Sequence, residues 1–371
     1  MLKLAQPEFS DAAIADAVEV LRSGRLVQGE HVARFEAALG KFLGVRHVVA
    51  VSSGTAALHL AVLALGIGPD DEVIVPAFTY PATANAVEVA GARSVLVDIG
   101  IDDFCIDTAQ LEAAWSPRVR AIIPVHEFGQ SADMDGVIRF SERHGIDVIE
   151  DAACALGTEF CGRKAGTIGR LGCFSFHPRK AITTGEGGAI ATVDDDLARE
   201  LRALRNHGLD PDVTPQMDFI RAGLNYRMTE LQAVLGFHQL QMLQEALATR
   251  HAQAARYDGL LASVSEVRPP ARFASRRSVY QTYHVMLQDS VDRNQAIAMM
   301  KKAGIETNLG AHALNCLKYY RNKYHTSPAD FPTATAAYQR GLALPIGSQC
   351  AMGEIDHVVD TLRKIISYTP A

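Results

Sequence analysis

The chain has 371 residues and a mass of 40.1 kDa, with 48% hydrophobic and 21% charged residues, 29 Gly and 15 Pro. That composition excludes a disordered, collagen-like or coiled-coil chain and is ample for a large buried core. A net charge of −6, from 36 basic and 42 acidic residues, argues against bulk binding to nucleic acid or to a membrane surface.

The N-terminal MLKLAQPEFSD lacks the apolar run of a signal peptide. The six cysteines contain no C-x-x-C pair, which indicates neither a zinc knuckle nor a disulfide scaffold. A soluble, cytoplasmic protein with free thiols is expected. Residues 10–23, with Ile14, Ala17, Val18 and Leu21 on one face and Gly24 after them, predict an amphipathic helix. Runs at 45–53, 71–77, 93–99, 120–126, 146–153, 172–177 and 187–193 are β-rich, and several are nearly continuous in Val and Ile. Strands covered on both faces read this way. Helical patterns at 54–65, 82–90 and 134–144 lie between them. The apolar stretch Ala56 to Leu65 is too short to cross a bilayer. The alternation predicts an α/β layer with a mainly parallel sheet.

The pattern changes near residue 228. Thr229 with Gln232 forms a capping-box signal, and Leu231, Val234, Leu235, His238, Met242 and Leu243 follow at helical spacing. A helix over 229–262, broken once, is expected to lead out of the first domain. The tail, 263–371, predicts a smaller α+β domain, with a strand at 283–288 and helices near 293–303, 333–341 and 353–367.

Four stretches carry chemistry. In SSGTAALHL (52–60) a strand gives way to a helix through a Gly, and such a helix start is a ready phosphate site as well as an ordinary cap. VIEDAACALG (148–157) ends a strand in Glu150 and Asp151, where a carboxylate can meet a cationic ligand atom or serve a buried salt bridge. CFSFHPRKAITTGEGGAIAT (173–192) places Ser175, His177, Arg179 and Lys180 before a Gly-rich turn. A lysine so held can form a Schiff base when its surroundings tune its amine. GLNYRMTE (223–230) offers Asn225 and Arg227 as polar anchors. A phosphate cradle, an acid at a strand end and then a lysine are the parts that pyridoxal phosphate requires for its phosphate, its ring nitrogen and its aldehyde.

The ordered set SGTAAL, PAFTYPATANA, VHEFGQ, EDAACALG, FSFHPRKAITTGEGG, RNHG and GLNYRMTELQA resembles the DegT/StrS family of sugar aminotransferases. The resemblance implies the fold-type I architecture of pyridoxal-phosphate enzymes. That is a large α/β domain, 1–249, with a mainly parallel seven-stranded sheet between helices, and a smaller C-terminal α+β domain, 250–371. It implies Lys180 as the lysine that binds the cofactor and Asp151 as the acid at the pyridine nitrogen, with Tyr80 stacked on the ring. Thr55, Ala56 and Ser175 match phosphate-binding positions, and Asn225 matches a residue supplied to the phosphate from the other subunit of a homodimer. The implied reaction moves an amino group from glutamate, through the pyridoxamine phosphate form, to a nucleotide-linked keto-deoxy-sugar. Its product would serve lipopolysaccharide, another surface glycan or a secondary metabolite. Two other readings stay open: a sugar dehydratase, whose relatives carry His where Lys180 stands, and a non-catalytic regulatory relative. Two departures from the family pattern are Cys154, where Gln or His is common near the cofactor's phenolic oxygen, and GAHALNCLKYY (310–320) in the small domain. Lys164, in CGRKAG, is the alternative lysine.

Overall fold

In a computed structural model, which describes residues 1–209 and 217–367, the seven β-rich runs form one sheet. Its order is His47–Val51, Gly188–Thr192, Leu171–Ser175, Asp147–Asp151, Val119–Ile122, Glu72–Pro76 and Arg93–Val97. The last five pair in parallel, while Gly188–Thr192 is antiparallel to both of its neighbours. Six of the seven strands therefore share one direction. The Val- and Ile-rich runs are buried as read, with Val49, Val51, Val73, Ile74 and Ile149 all fully inaccessible.

Helices cover both faces. Gly54–Ala64 follows the first strand, capped by Ser53, whose Oγ accepts from the Ala56 amide at 3.0 Å. Asp11–Ser23 is capped by Ser10 and ended by left-handed Gly24, as its sequence predicts. The helix Glu30–Leu43, absent from the sequence reading, packs Val32, Phe35, Leu39 and Leu43 into the core.

The long helix needs a correction. Glu230–Leu261 runs unbroken for 32 residues behind the Thr229–Gln232 capping box. It contains no proline to break it. Its interior Gly236 is a packing choice, since a Cβ there would come within 2.8 Å of the Phe35 ring. The helix changes neighbours instead of bending. Its first half buries Ala233, Val234 and Leu243 among the large-sheet helices. Its second half buries Ala254, Tyr257 and Leu261 in a separate apolar cluster. The expected division after residue 249 falls inside this helix.

That second cluster surrounds an antiparallel sheet of Val267–Arg268, Tyr283–Leu287 and Gly341–Leu344, packed by helices Arg293–Lys302 and Met352–Ser367. His312–Ala313 pairs back with Phe78–Thr79 of the large layer. Through this pairing 310–313 reaches the carboxyl ends of the main strands. Among the described residues no helix is long and apolar enough to cross a membrane.

Candidate active site

A cavity of about 560 Å³ lies at the carboxyl ends of the parallel strands, where open α/β sheets bind ligands. Five of the site residues read from the sequence line it: Thr55, Tyr80, Asp151, Ser175 and Lys180.

One end is built for an anion. A helix start leaves its first amides without intrahelical acceptors. Ser53 Oγ takes that of Ala56, which is buried and stands behind the cavity wall. The amides of Gly54 and Thr55, the Thr55 hydroxyl and Ser175 across the gap remain for a ligand, at the positive end of the helix dipole. Gly54 has to be glycine, because a Cβ there would lie 2.7 Å from Ser175 Cβ and close the cradle.

The other end is acidic. Asp151 closes its strand and is 4% exposed. Thr83 Oγ1 donates to its Oδ2 at 2.8 Å and the Ala153 amide to its Oδ1 at 3.1 Å. Burial raises its carboxyl above the ordinary aspartate value, against the pull of Thr83, Ala153 and Lys180. Glu150, its neighbour in sequence, turns the other way and is fully buried. It accepts from the amides of Gly166, Ile168 and Gly169 at 2.8, 2.5 and 2.6 Å, and bonds His126 Nε2 at 2.8 Å. The Ala132 amide donates to His126 Nδ1 at 3.1 Å, so Nε2 carries the ring proton and donates to Glu150. Of the two acids, Glu150 is a structural anchor and Asp151 faces the cavity.

Lys180 sits in the loop after Leu171–Ser175. The Gly-rich turn behind it is tied to Phe176, whose carbonyl accepts from the Thr184 amide and Thr183 Oγ1 at 3.0 and 2.9 Å. Gly185, at φ 82, completes the turn. Lys180 Nζ donates to Cys154 Sγ at 3.0 Å. Burial opposes its charge, yet Cys154, Glu127 and Asp151 together carry the amine above the ordinary lysine value. Lys164 lies elsewhere, its Nζ on the Phe42 carbonyl and 4.1 Å from the Phe42 ring centroid.

Tyr80 is 67% exposed at the mouth, its ring centroid 6.2 Å from that of His312. Asn225 is exposed and does not line the cavity of its own chain, and Arg227 donates to Asn206 Oδ1 at 2.6 Å. Among the lining residues that were missed in the sequence are Thr79, Thr83 and Glu127. The first two stand four apart in FTYPAT, a helical spacing, but nothing local ties them to an acid 68 residues on.

This donor set fits pyridoxal phosphate. The cradle suits a phosphate, and Asp151 is a buried carboxylate that receives only two neutral hydrogen bonds and is left to meet a cationic ring nitrogen. Lys180 is an amine on the same cavity.

Comparison with known proteins agrees. The profile of the DegT/DnrJ/EryC1/StrS aminotransferase family matches residues 7–363. GDP-perosamine synthase of Caulobacter vibrioides is 41% identical over 341 residues, 91% of each chain. Spore coat polysaccharide biosynthesis protein SpsC of Bacillus subtilis is 35% identical over 372 residues, 97% of this chain and 96% of SpsC. The PLP form of Spr1654 of Streptococcus pneumoniae, assigned as a sugar aminotransferase, superposes with a TM-score of 0.95 at 30% identity, covering 100% of this chain and 99% of Spr1654. Its PMP form superposes with a TM-score of 0.94. The dehydratase and non-catalytic readings find no support in these matches. The chain belongs to the DegT/DnrJ/EryC1/StrS aminotransferase family, and it is a sugar aminotransferase that works with pyridoxal phosphate and its pyridoxamine form.

Proposed function

We propose that this enzyme moves an amino group from glutamate to a keto group of a nucleotide-linked deoxy-sugar, for the assembly of a surface glycan. The observation that carries the reading is the meeting of Lys180, Asp151 and the Gly54–Ala64 helix start on one cavity. The name of the Caulobacter relative supports a nucleotide-linked sugar, and that of SpsC supports a polysaccharide pathway.

Bound pyridoxal phosphate supplies an electron sink that acidifies the donor's α-carbon. Lys180 Nζ takes that α-proton as a general base and returns it as a general acid. The Asp151 carboxylate meets the ring nitrogen and keeps it protonated. Tyr80, at the mouth, would stack on the ring. Thr55 and Ser175 hold the phosphate, with Ala56 in the helix start behind them. The smaller unit, 250–371, closes the substrate side through Gln281, Thr282, Asn308 and Gly310. Six free cysteines suit a reducing cytoplasm.

The working form is a homodimer in which Asn225 serves the partner's phosphate. Its exposure outside its own cavity supports this, as do the exposed apolar side chains of Met217, Phe219 and Ile220, which association would cover. Two variants test the reading. Lys180→Ala should abolish turnover while the fold survives, and wild-type turnover in that variant would remove Lys180 from its role. Mixing Lys180→Ala chains with Asn225→Trp chains should return up to about half of wild-type activity per heterodimer, because one site carries both lesions and the other neither. No recovery on mixing, or a fully active monomer, would end the shared-site reading.

A further inference from the structure

Glu127 has no role in the assignment above, yet its side chain forms cavity wall beside Asp151, Cys154 and Lys180. The residue is 5% exposed. Its carboxyl accepts one hydrogen bond among the described residues, from the Phe128 amide to Oε1 at 3.3 Å, so Oε2 is without a protein donor.

The backbone around it is held firmly. Phe128 has φ 56 and Gly129 φ 89. A phenylalanine in the left-handed region costs about 1 kcal/mol or more and persists only where its surroundings impose it. Here the ring stacks on His284 at 4.1 Å between centroids and meets Phe104 and Phe78 edge-on at 5.5 and 6.1 Å. On the other side His126 is fixed between Glu150 and the Ala132 amide. A strained and doubly anchored turn thus presents one carboxyl to the cavity.

We propose that Glu127 is a positioning residue of the transamination, whose carboxyl group controls when the Lys180 amine holds its proton. The inference rests on the assignment of Lys180 as the reactive lysine.

The groups around Glu127 bear this out. From the cavity it faces Lys180, Asp151 and the Cys154 thiol. From a small cavity behind Phe128 it faces Asp102, Asp103 and His284. Asp103 is paired with Arg276 at 2.6 Å, and burial with the nearby Arg293 pushes His284 down to about 3, leaving it uncharged. The cation that Glu127 senses is therefore Lys180. Burial lifts the Glu127 carboxyl to about 7, with Lys180 opposing the rise and Asp151 adding to it. Above that pH the Glu127 carboxylate holds Lys180 as an ammonium. Where the Glu127 carboxyl is neutral the ammonium loses that opposite charge and gives its proton to water more readily: one N–H bond breaks, one O–H bond of hydronium forms, and Lys180 is left as the neutral amine that acts as a base.

Glu127→Gln keeps the shape and removes the charge. In the cofactor-free full chain, reductive methylation of Lys180 is followed against pH by peptide mass mapping. The midpoint should fall by about one pH unit in Glu127→Gln, the low end for losing a close opposite charge, and Glu127→Asp should restore most of it. An unchanged Lys180 midpoint in Glu127→Gln overturns the proposal. Borohydride fixation of the cofactor on another lysine would instead overturn the Lys180 assignment, so the two failures are distinct. A reciprocal test covers a Gln variant that does not fold. Removing the ammonium by Lys180→Ala should raise the Glu127 carboxyl titration, read by infrared difference spectroscopy, and a titration that stays in place or falls also overturns the proposal.

Discussion

Replacing Asp151 by Asn separates the charge of this carboxylate from its packing. The carboxylate accepts from Thr83 Oγ1 and the Ala153 amide at 2.8 and 3.1 Å. Asparagine keeps its carbonyl oxygen for Ala153 and turns its amide to Thr83, whose hydroxyl still accepts from Thr79 Oγ1 at 2.9 Å and now donates to the Tyr80 carbonyl, 3.3 Å away. Every polar atom stays partnered, so the change in stability should stay within about 1 kcal/mol. Its sign leans toward stabilisation. Burial raises the folded-state value of Asp151 above the unfolded one. The wild-type fold therefore loses stability as the pH climbs from the unfolded carboxylate value through the folded one. Asparagine does not ionise, so at neutral pH the cofactor-free variant should melt at the wild-type temperature or above it. Activity should move the other way. A close opposite charge is worth about 1–3 pKa units at the ring nitrogen, or about 1.4–4 kcal/mol. Lost from the barrier, that is about ten- to a thousandfold in the half-reaction with an amino donor. Scanning calorimetry of the cofactor-free protein and stopped-flow absorbance of the loaded enzyme measure the two effects. A variant that melts several degrees lower yet reacts at the wild-type rate would make Asp151 a structural residue and refute the reasoning.

Two neighbouring positions should respond differently. Glu150→Gln turns an amide toward two of the four donors that the carboxylate satisfies, at a fully buried site. It should cost about 3–5 kcal/mol of stability in denaturant titration, and a loss below about 1 kcal/mol would show that the anchor is dispensable. Gly54→Ala places a Cβ 2.7 Å from Ser175 Cβ. Cofactor affinity in equilibrium dialysis should fall at least about tenfold with the fold intact, and wild-type affinity would move the phosphate site elsewhere.

The sequence was most readable where the cause of a feature is local. The capping box of Thr229 and Gln232 starts the long helix as read, and Ser53 caps the helix behind the first strand. The helix Glu30–Leu43 was missed although Val32, Phe35, Leu39 and Leu43 repeat at helical spacing. Its cap is not local. Gly29 supplies no side chain, and the amides of Gly29, His31 and Val32 are taken by Glu230, about 200 residues away. The expected break in Glu230–Leu261 failed for a related reason. A buried face that changes partner along a helix looks like a phase break in one dimension, while the helix itself continues. In the site, Lys180 and the Gly-rich turn could be read from one stretch. Thr83 beneath Asp151 and Glu127 beside Lys180 could not, because the topology rather than the spacing brings them there.

Glu150 and Asp151 show how the fold resolves what the sequence leaves open. Adjacent side chains on a strand point to opposite faces, so only one of two neighbouring acids can meet a ligand at the strand end. The fold directs four hydrogen-bond donors to Glu150 and two to Asp151. The first set satisfies a buried carboxylate fully and fixes the 166–169 loop and the tautomer of His126. The second set orients a carboxylate without neutralising it. A cation at the ring nitrogen can then gain an interaction that the protein has not already supplied to itself. Had the six donors been shared evenly, Asp151 would be better stabilised in the free protein and a weaker partner for the cofactor. The raised carboxyl of Asp151 records the same imbalance, since burial outweighs the two donors that the fold gives it.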